Sequence, residues 1–242
     1  MGKNKLQRFK ENERFPHVIQ PHHQSLLDNK AEIKGKWHAS VFNNSNPLVL
    51  ELGCGKGEYT VGLAAGNPDK NFIGVDIKGA RIWRGAKDSF EAGMKNVAFL
   101  RIRIEFIQCC FDQNEVDEIW CTFSDPHRNR RKSITKRLTS SKFLQKYQQV
   151  MKHNGIMHLK TDDPVLYAYT LAVIRHNDLP LICDIPDIYD GEHTDQVPPI
   201  KTHYEKRWLD EKRIIRYIRF KLPQDKNLSE PPVDEKREGF KS

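Results

Sequence analysis

The chain has no apolar run of membrane-spanning length, no C-x-x-C pair and no cysteine–histidine cluster with metal-ligand spacing. The first absence argues against a membrane-spanning helix. The other two leave no pattern for a structural zinc, and no metal is expected. The basic N-terminus has no apolar stretch behind it, so it does not read as a signal peptide. The five cysteines, at positions 54, 109, 110, 121 and 183, are odd in number and unpaired in spacing. That usage suits a reducing compartment, and a cytoplasmic location is expected. Internal repeats and low-complexity blocks are also missing, as is any nucleophilic Cys/His arrangement.

What is present is basic charge. The 242 residues hold 40 Lys and Arg against 32 Asp and Glu, a formal net charge of +8. An excess of this kind favours a polyanionic partner. The length is enough for one large domain with a proper core. Residues 1–46 are polar, with Lys3, Lys5, Arg8, Lys10 and Arg14 near the start. They read as a basic N-terminal arm, either flexible or ordered on nucleic acid. The adjacent His22 and His23 read as solvated. From 47 to 222 the pattern alternates between strands and helices. Strands are expected over 48–52, 71–76, 96–101, 118–123, 155–161, 179–184 and 213–222. Helices are expected from 58 and over 78–92, 141–151 and 164–176, the third capped by Ser140 or Ser141 and the last with a proline in its first turn. This alternation predicts a mainly parallel sheet covered by helices on both faces. The charged tail, 223–242, is expected to be disordered.

The stretch that organises the rest is Pro47-Leu-Val-Leu-Glu-Leu-Gly-Cys-Gly-Lys-Gly57. It reads as a buried strand running into a turn with glycine at 53, 55 and 57, then a helix. Glycine lets the backbone turn tightly and approach a ligand. A dinucleotide fingerprint needs a third glycine at position 58, and this chain has Glu58 there. That carboxylate would repel a pyrophosphate, and Glu51 adds a second negative charge. The pair suits a ligand with a positive end and no phosphate, such as S-adenosyl-L-methionine. Asp76 ends the next strand, where nucleoside-binding sheets hold ribose hydroxyls.

A second informative stretch, Phe123-Ser-Asp-Pro-His127, ends the fourth strand and points Asp125 at the ligand edge of the sheet. Residues 128–137 follow with six basic side chains and no acid. A loop of this charge beside an active site attracts phosphates, and arginine grips them bidentately. Lys160-Thr-Asp-Asp163 puts acids on the same edge. The segment 201–208 mixes aromatics with charge and, from composition alone, reads as a loop.

Together these pieces resemble the bacterial tRNA (guanine-N7-)-methyltransferase family, over about residues 48–220. In that family the fourth-strand motif reads Phe-Pro-Asp-Pro-Trp-Pro-Lys. Here serine replaces the first proline, His127 the tryptophan, Arg128 the next proline and Asn129 the lysine. The resemblance implies a Rossmann-like class I S-adenosylmethionine-dependent methyltransferase. It implies cofactor contacts at Glu51, Gly53, Gly55, Asp76, Arg103, Ile104 and Asp125, with Asp125 also catalytic. It implies substrate contacts at Asn129, Arg130, Arg131, Lys132, Asp162, Thr202, His203, Tyr204 and Glu205. The implied product is N7-methylguanosine in the tRNA variable loop, at position 46. The alternatives are a methyltransferase for another substrate, an RNA-binding protein that keeps the fold without catalysis, and an NAD oxidoreductase, which Glu58 disfavours. Monomer and homodimer are both open.

Overall fold

The computed structural model describes residues 2–128, 131–191 and 196–232. They fall into two compact units, 1–117 and 118–242. The first contains α1 (Gly2–Asn12), β1 (Val18–Ile19), α2 (His23–Leu27), a π-helical turn (Trp37–Phe42), β2 (Leu48–Leu52), α3 (Glu58–Gly66), β3 (Asn71–Val75), α4 (Gly79–Glu91), β4 (Val97–Leu100), a 3-10 turn (Ile104–Phe106) and α5 (Ile107–Cys110). The boundary falls within β5 (Val116–Thr122). The second unit then adds a 3-10 segment (Arg131–Lys136), α6 (Ser141–Gln148), β6 (Met151–Thr161), α7 (Pro164–His176), β7 (Leu181–Ile185), α8 (His203–Asp210) and β8 (Arg216–Leu222). The eight strands run β1-β4-β3-β2-β5-β6-β8-β7 in a mostly parallel sheet.

In the first unit β1, β4, β3 and β2 pair in parallel. Every residue of β2, β3 and β4 is buried. That is why they read as continuous apolar runs rather than as alternation. In the second unit β8 pairs antiparallel with both β6 and β7. Two helix starts follow their sequence signals. Ser140 accepts a hydrogen bond from the Phe143 N–H, and Asp163 accepts from Val165 and Leu166 at 2.9 and 2.8 Å, with Pro164 opening α7.

Both ends of the chain differ from expectation. The segment expected as an arm is built into the first unit. Asn12 is fully buried and donates through Nδ2 to the Gly79 carbonyl at 2.8 Å. The Arg101 guanidinium covers the Phe9 ring at 4.6 Å, and Arg8 covers Trp83 at 4.7 Å. β1 then adds to the sheet beside β4. A composition rich in charge concealed a helix with one short packing stripe, Phe9 and Asn12. The tail is corrected as far as Pro232. Leu228 is buried, and Glu230 Oε1 accepts from the Ser141 N–H and hydroxyl, each at 2.9 Å. Residues 233–242 lie outside the described residues.

Candidate active site

In the first unit the site is built by the turn after β2. Gly53, Gly55 and Gly57 all have positive φ, at 76°, 57° and 73°. The three serve different ends. A Cβ on Gly55 would meet only the Gly53 carbonyl, 4.0 Å away, so the turn is open there. A Cβ on Gly57 would stand 2.6 Å from Phe99 and 3.3 Å from the Gly85 Cα. Gly57 is therefore demanded by packing of the turn on β4 and α4.

Asp76 follows β3 and is 9 % exposed. Its Oδ2 accepts from the Gly55 N–H at 2.9 Å and its Oδ1 from the Lys78 N–H at 2.8 Å. The acid ties the glycine turn to the loop before α4. Each carboxylate oxygen has a second lone pair left to accept a ligand hydroxyl. Glu51 is 4 % exposed, and the Thr60 hydroxyl donates to its Oε2. Burial, then the Glu51 and Asp76 carboxylates, push the Cys54 thiol well above its ordinary range. Burial thus keeps Cys54 in its thiol form. An open glycine backbone, the second lone pairs of the Asp76 carboxylate and the nearby Glu51 carboxylate fit a cationic nucleoside. Arg103 and Ile104 lie in the loop after β4. Arg103 precedes the 3-10 turn and faces Glu105 at 3.6 Å.

In the second unit Phe123 and His127 bracket Asp125 with left-handed φ values of 50° and 46°. The Asp125 side chain is 71 % exposed, and its Oδ1 accepts from the His127 N–H at 2.8 Å. This short turn presents the carboxylate to solvent. The basic run divides into parts with different roles. Arg128 forms an ion pair with Asp163. Asn129 and Arg130 lie outside the described residues, and Arg131 and Lys132 open the 3-10 segment. Arg137 is fully buried, donates to the Pro126 carbonyl at 2.7 Å and covers Tyr169 at 4.4 Å. Read in sequence as part of a phosphate-binding run, Arg137 instead braces the Asp125 loop from inside.

The remaining expected substrate residues also separate. Asp162 pairs with Arg213 at 2.8 Å. Segment 201–208 is corrected from a loop to the start of α8. Thr202 caps it, accepting from the Glu205 N–H at 3.2 Å. The signal was present as Thr-x-x-Glu, the capping-box pattern. His203 and Tyr204 are exposed, whereas Glu205 is fully buried against Lys160 and Tyr189. Lys160, Tyr189 and Trp208 carried no sequence signal of their own.

The fold and the glycine-turn site define a class I S-adenosylmethionine-dependent methyltransferase. Solved structures agree at the level of fold. The 16S rRNA methyltransferase KamB superposes with a TM-score of 0.60 at 13 % identity, covering 79 % of this chain and 95 % of its own. A 16S rRNA (adenine(1408)-N(1))-methyltransferase from Catenulisporales acidiphilia, solved with its cosubstrate, gives 0.52 at 12 %, covering 81 % and 92 %.

Sequence comparison narrows the class. The family described as "Putative methyltransferase" matches residues 45–217. The tRNA (guanine-N(7)-)-methyltransferase of Bacteroides fragilis is 49 % identical over 242 residues, covering 100 % of this chain and 95 % of that protein. The protein of the same name from Christiangramia forsetii is 53 % identical over 222 residues, covering 91 % and 99 %. The chain belongs to the tRNA (guanine-N(7)-)-methyltransferase family.

Proposed function

We propose that this enzyme transfers the methyl group of S-adenosyl-L-methionine to N7 of the variable-loop guanine, position 46, of tRNA in the cytoplasm. The observation that carries the reading is near-full-length identity of about half to relatives named for this reaction, supported by the acid-lined glycine turn. Among the described residues no helix is long and apolar enough to cross a membrane.

Glu51, Gly53, Gly55 and Asp76 would hold the cofactor, with Arg103 and Ile104 contributing from the loop after β4. When bound, the cofactor supplies an electrophilic methyl group on a sulfonium. Guanine N7 is an in-plane acceptor outside Watson–Crick pairing. Its lone pair is already nucleophilic, so no residue has to remove a proton before attack. The protein's task is orientation, worth much of the barrier in reactions of this type. The purine gains positive charge as N7 bonds to carbon, and the exposed Asp125 carboxylate stabilises it. Asn129, Arg130, Arg131 and Lys132 engage phosphates, and His203 and Tyr204 face the RNA from the start of α8.

Two measurements test this reading. Asp76→Ala should weaken cofactor binding in calorimetry by roughly 10- to 100-fold, the range expected when a charged hydrogen-bond acceptor is lost. Equal binding by both proteins would remove Asp76 from the site. The second uses tRNA with 7-deazaguanine at position 46, which keeps shape and pairing but has carbon in place of N7. It should bind as unmodified tRNA does, because phosphate contacts supply most of the affinity, and accept no methyl group. Methylation of it at the normal rate would point to another atom. Binding of unmodified tRNA without transfer would leave an RNA-binding protein that has lost catalysis.

A further inference from the structure

The Asp125 carboxylate is tied to one peptide plane. Its Oδ1 accepts from the His127 N–H at 2.8 Å. The carbonyl of that same peptide, on Pro126, accepts from Arg137 Nε at 2.7 Å. A peptide unit is planar, so fixing its carbonyl fixes the direction of its N–H. The seat of Arg137 therefore sets the direction in which the Asp125 carboxylate is held. Arg137 is fully buried, and its guanidinium covers the Tyr169 ring at 4.4 Å.

That seat is fixed in turn from the far end of the chain. Glu230 Oε2 accepts from the Tyr169 hydroxyl at 2.6 Å. Its Oε1 accepts from the Ser141 N–H and hydroxyl, each at 2.9 Å. One carboxylate thus grips the ring beneath the guanidinium and the chain shortly after Arg137. It also stands at the N-terminus of α6, where unpaired N–H groups and the helix dipole favour negative charge. The segment that delivers Glu230 is itself anchored. Leu228 is buried, and its carbonyl accepts from Gln145 Nε2 at 2.6 Å. The Ser229 N–H donates to Asn177 Oδ1 at 2.8 Å, and Asn177 Nδ2 donates back to the Ser229 carbonyl at 3.0 Å. Pro231 follows and biases Glu230 towards extended backbone.

We infer that Glu230 is a positioning residue for Asp125. It acts through Tyr169, Arg137 and the peptide between Pro126 and His127. The chain end therefore does more than cover α6 and α7: it holds the Asp125 loop in shape. The role of Asp125 rests on the reaction proposed above, whereas the coupling of Glu230 to Arg137 does not.

The test combines hydrogen exchange of the Arg137 Nε–H, followed by NMR, with steady-state methylation of tRNA. Glu230→Ala and Tyr169→Phe should each speed that exchange at least about tenfold, because exchange reads local opening directly. Each should lower kcat about fivefold, as small misplacements of a reacting group do. The KM for tRNA should stay within about twofold, since no substrate contact is lost. Tyr169→Phe keeps the ring under Arg137 and loses only the hydroxyl that Glu230 holds, so it serves if Glu230→Ala does not fold. The double variant should have a kcat no lower than the lower of the two single variants, as expected for links of one chain. Arg137→Lys keeps the charge but loses the planar guanidinium. It should lower kcat at least about tenfold and leave the slope of log K against log salt for tRNA unchanged. A normal kcat in Arg137→Lys, or additive losses in the double variant, would break the chain and overturn the inference. So would a raised KM with unchanged kcat in Glu230→Ala, which would put Glu230 on the RNA. Unchanged Arg137 exchange in both single variants would overturn it as well. Should the wild type transfer no methyl group, the reaction reading alone fails, and the exchange measurement still decides the coupling.

Discussion

Asp125→Asn is expected to lower kcat about 100-fold or more, the usual consequence of removing one preorganised electrostatic group from a charged transition state. The substitution is nearly isosteric. Asparagine can still accept from the His127 N–H, the contact that shapes the turn at 2.8 Å, so the loop should keep its form. In the proposed reaction, what would disappear is the negative charge that offsets the purine's positive charge as N7 is alkylated. The Asp125 side chain is 71 % exposed, so its substitution should leave the melting temperature nearly unchanged. Single-turnover kinetics with saturating cofactor would isolate the chemical step from binding. A rate near that of the wild type would mean that orientation alone carries the reaction and that the carboxylate is incidental.

Gly57→Ala should cause the largest loss of stability among single-methyl changes at the site. Two costs add. The position has φ 73°, and a Cβ in that region is strained in any L residue. The added carbon would also stand 2.6 and 2.9 Å from two atoms of the Phe99 ring. That ring is fully buried, so it cannot swing aside. Together they should cost about 3 kcal/mol, the sum of a left-handed penalty and overpacking of a core. Urea unfolding followed by circular dichroism would measure it. Adding Phe99→Leu should recover part of the loss by relieving the clash while leaving the φ strain. Gly55→Ala is the internal comparison. It bears a similar φ penalty at 57° but has nothing nearer than 4.0 Å, so it should lose less stability. A Gly57→Ala protein as stable as Gly55→Ala would show that the contact with Phe99 is soft.

The elements read most directly from sequence were those whose signals are local. The strand over 48–52 and its glycine turn lie within a dozen residues of one another, as does the Asp163–Pro164 start of α7. A buried parallel strand declares itself by continuous apolar residues, and a cap by the type of one side chain. The ends of the chain were misread for the opposite reason. α1 is exposed on most of its surface, and its place depends on Phe9 and Asn12 meeting Gly79 and Arg101, and on Arg8 covering Trp83. No pattern inside residues 2–12 announces those partners.

The sequence by itself determined the alternating α/β order, the glycine turn with its flanking acids, and the placement of Asp76 and Asp125 just after strands. All of these depend on residue type and on short-range periodicity. Only the tertiary structure decided which charged residues face solvent and which are internal. Arg137 stood among solvent-seeking arginines yet is buried under the Asp125 loop, and Glu205 stood in a segment expected to meet RNA yet pairs with Lys160. The physical reason is desolvation. A charge can leave water only where a partner waits. For Glu205 that partner lies 45 residues away in the chain, at a distance that no local pattern encodes.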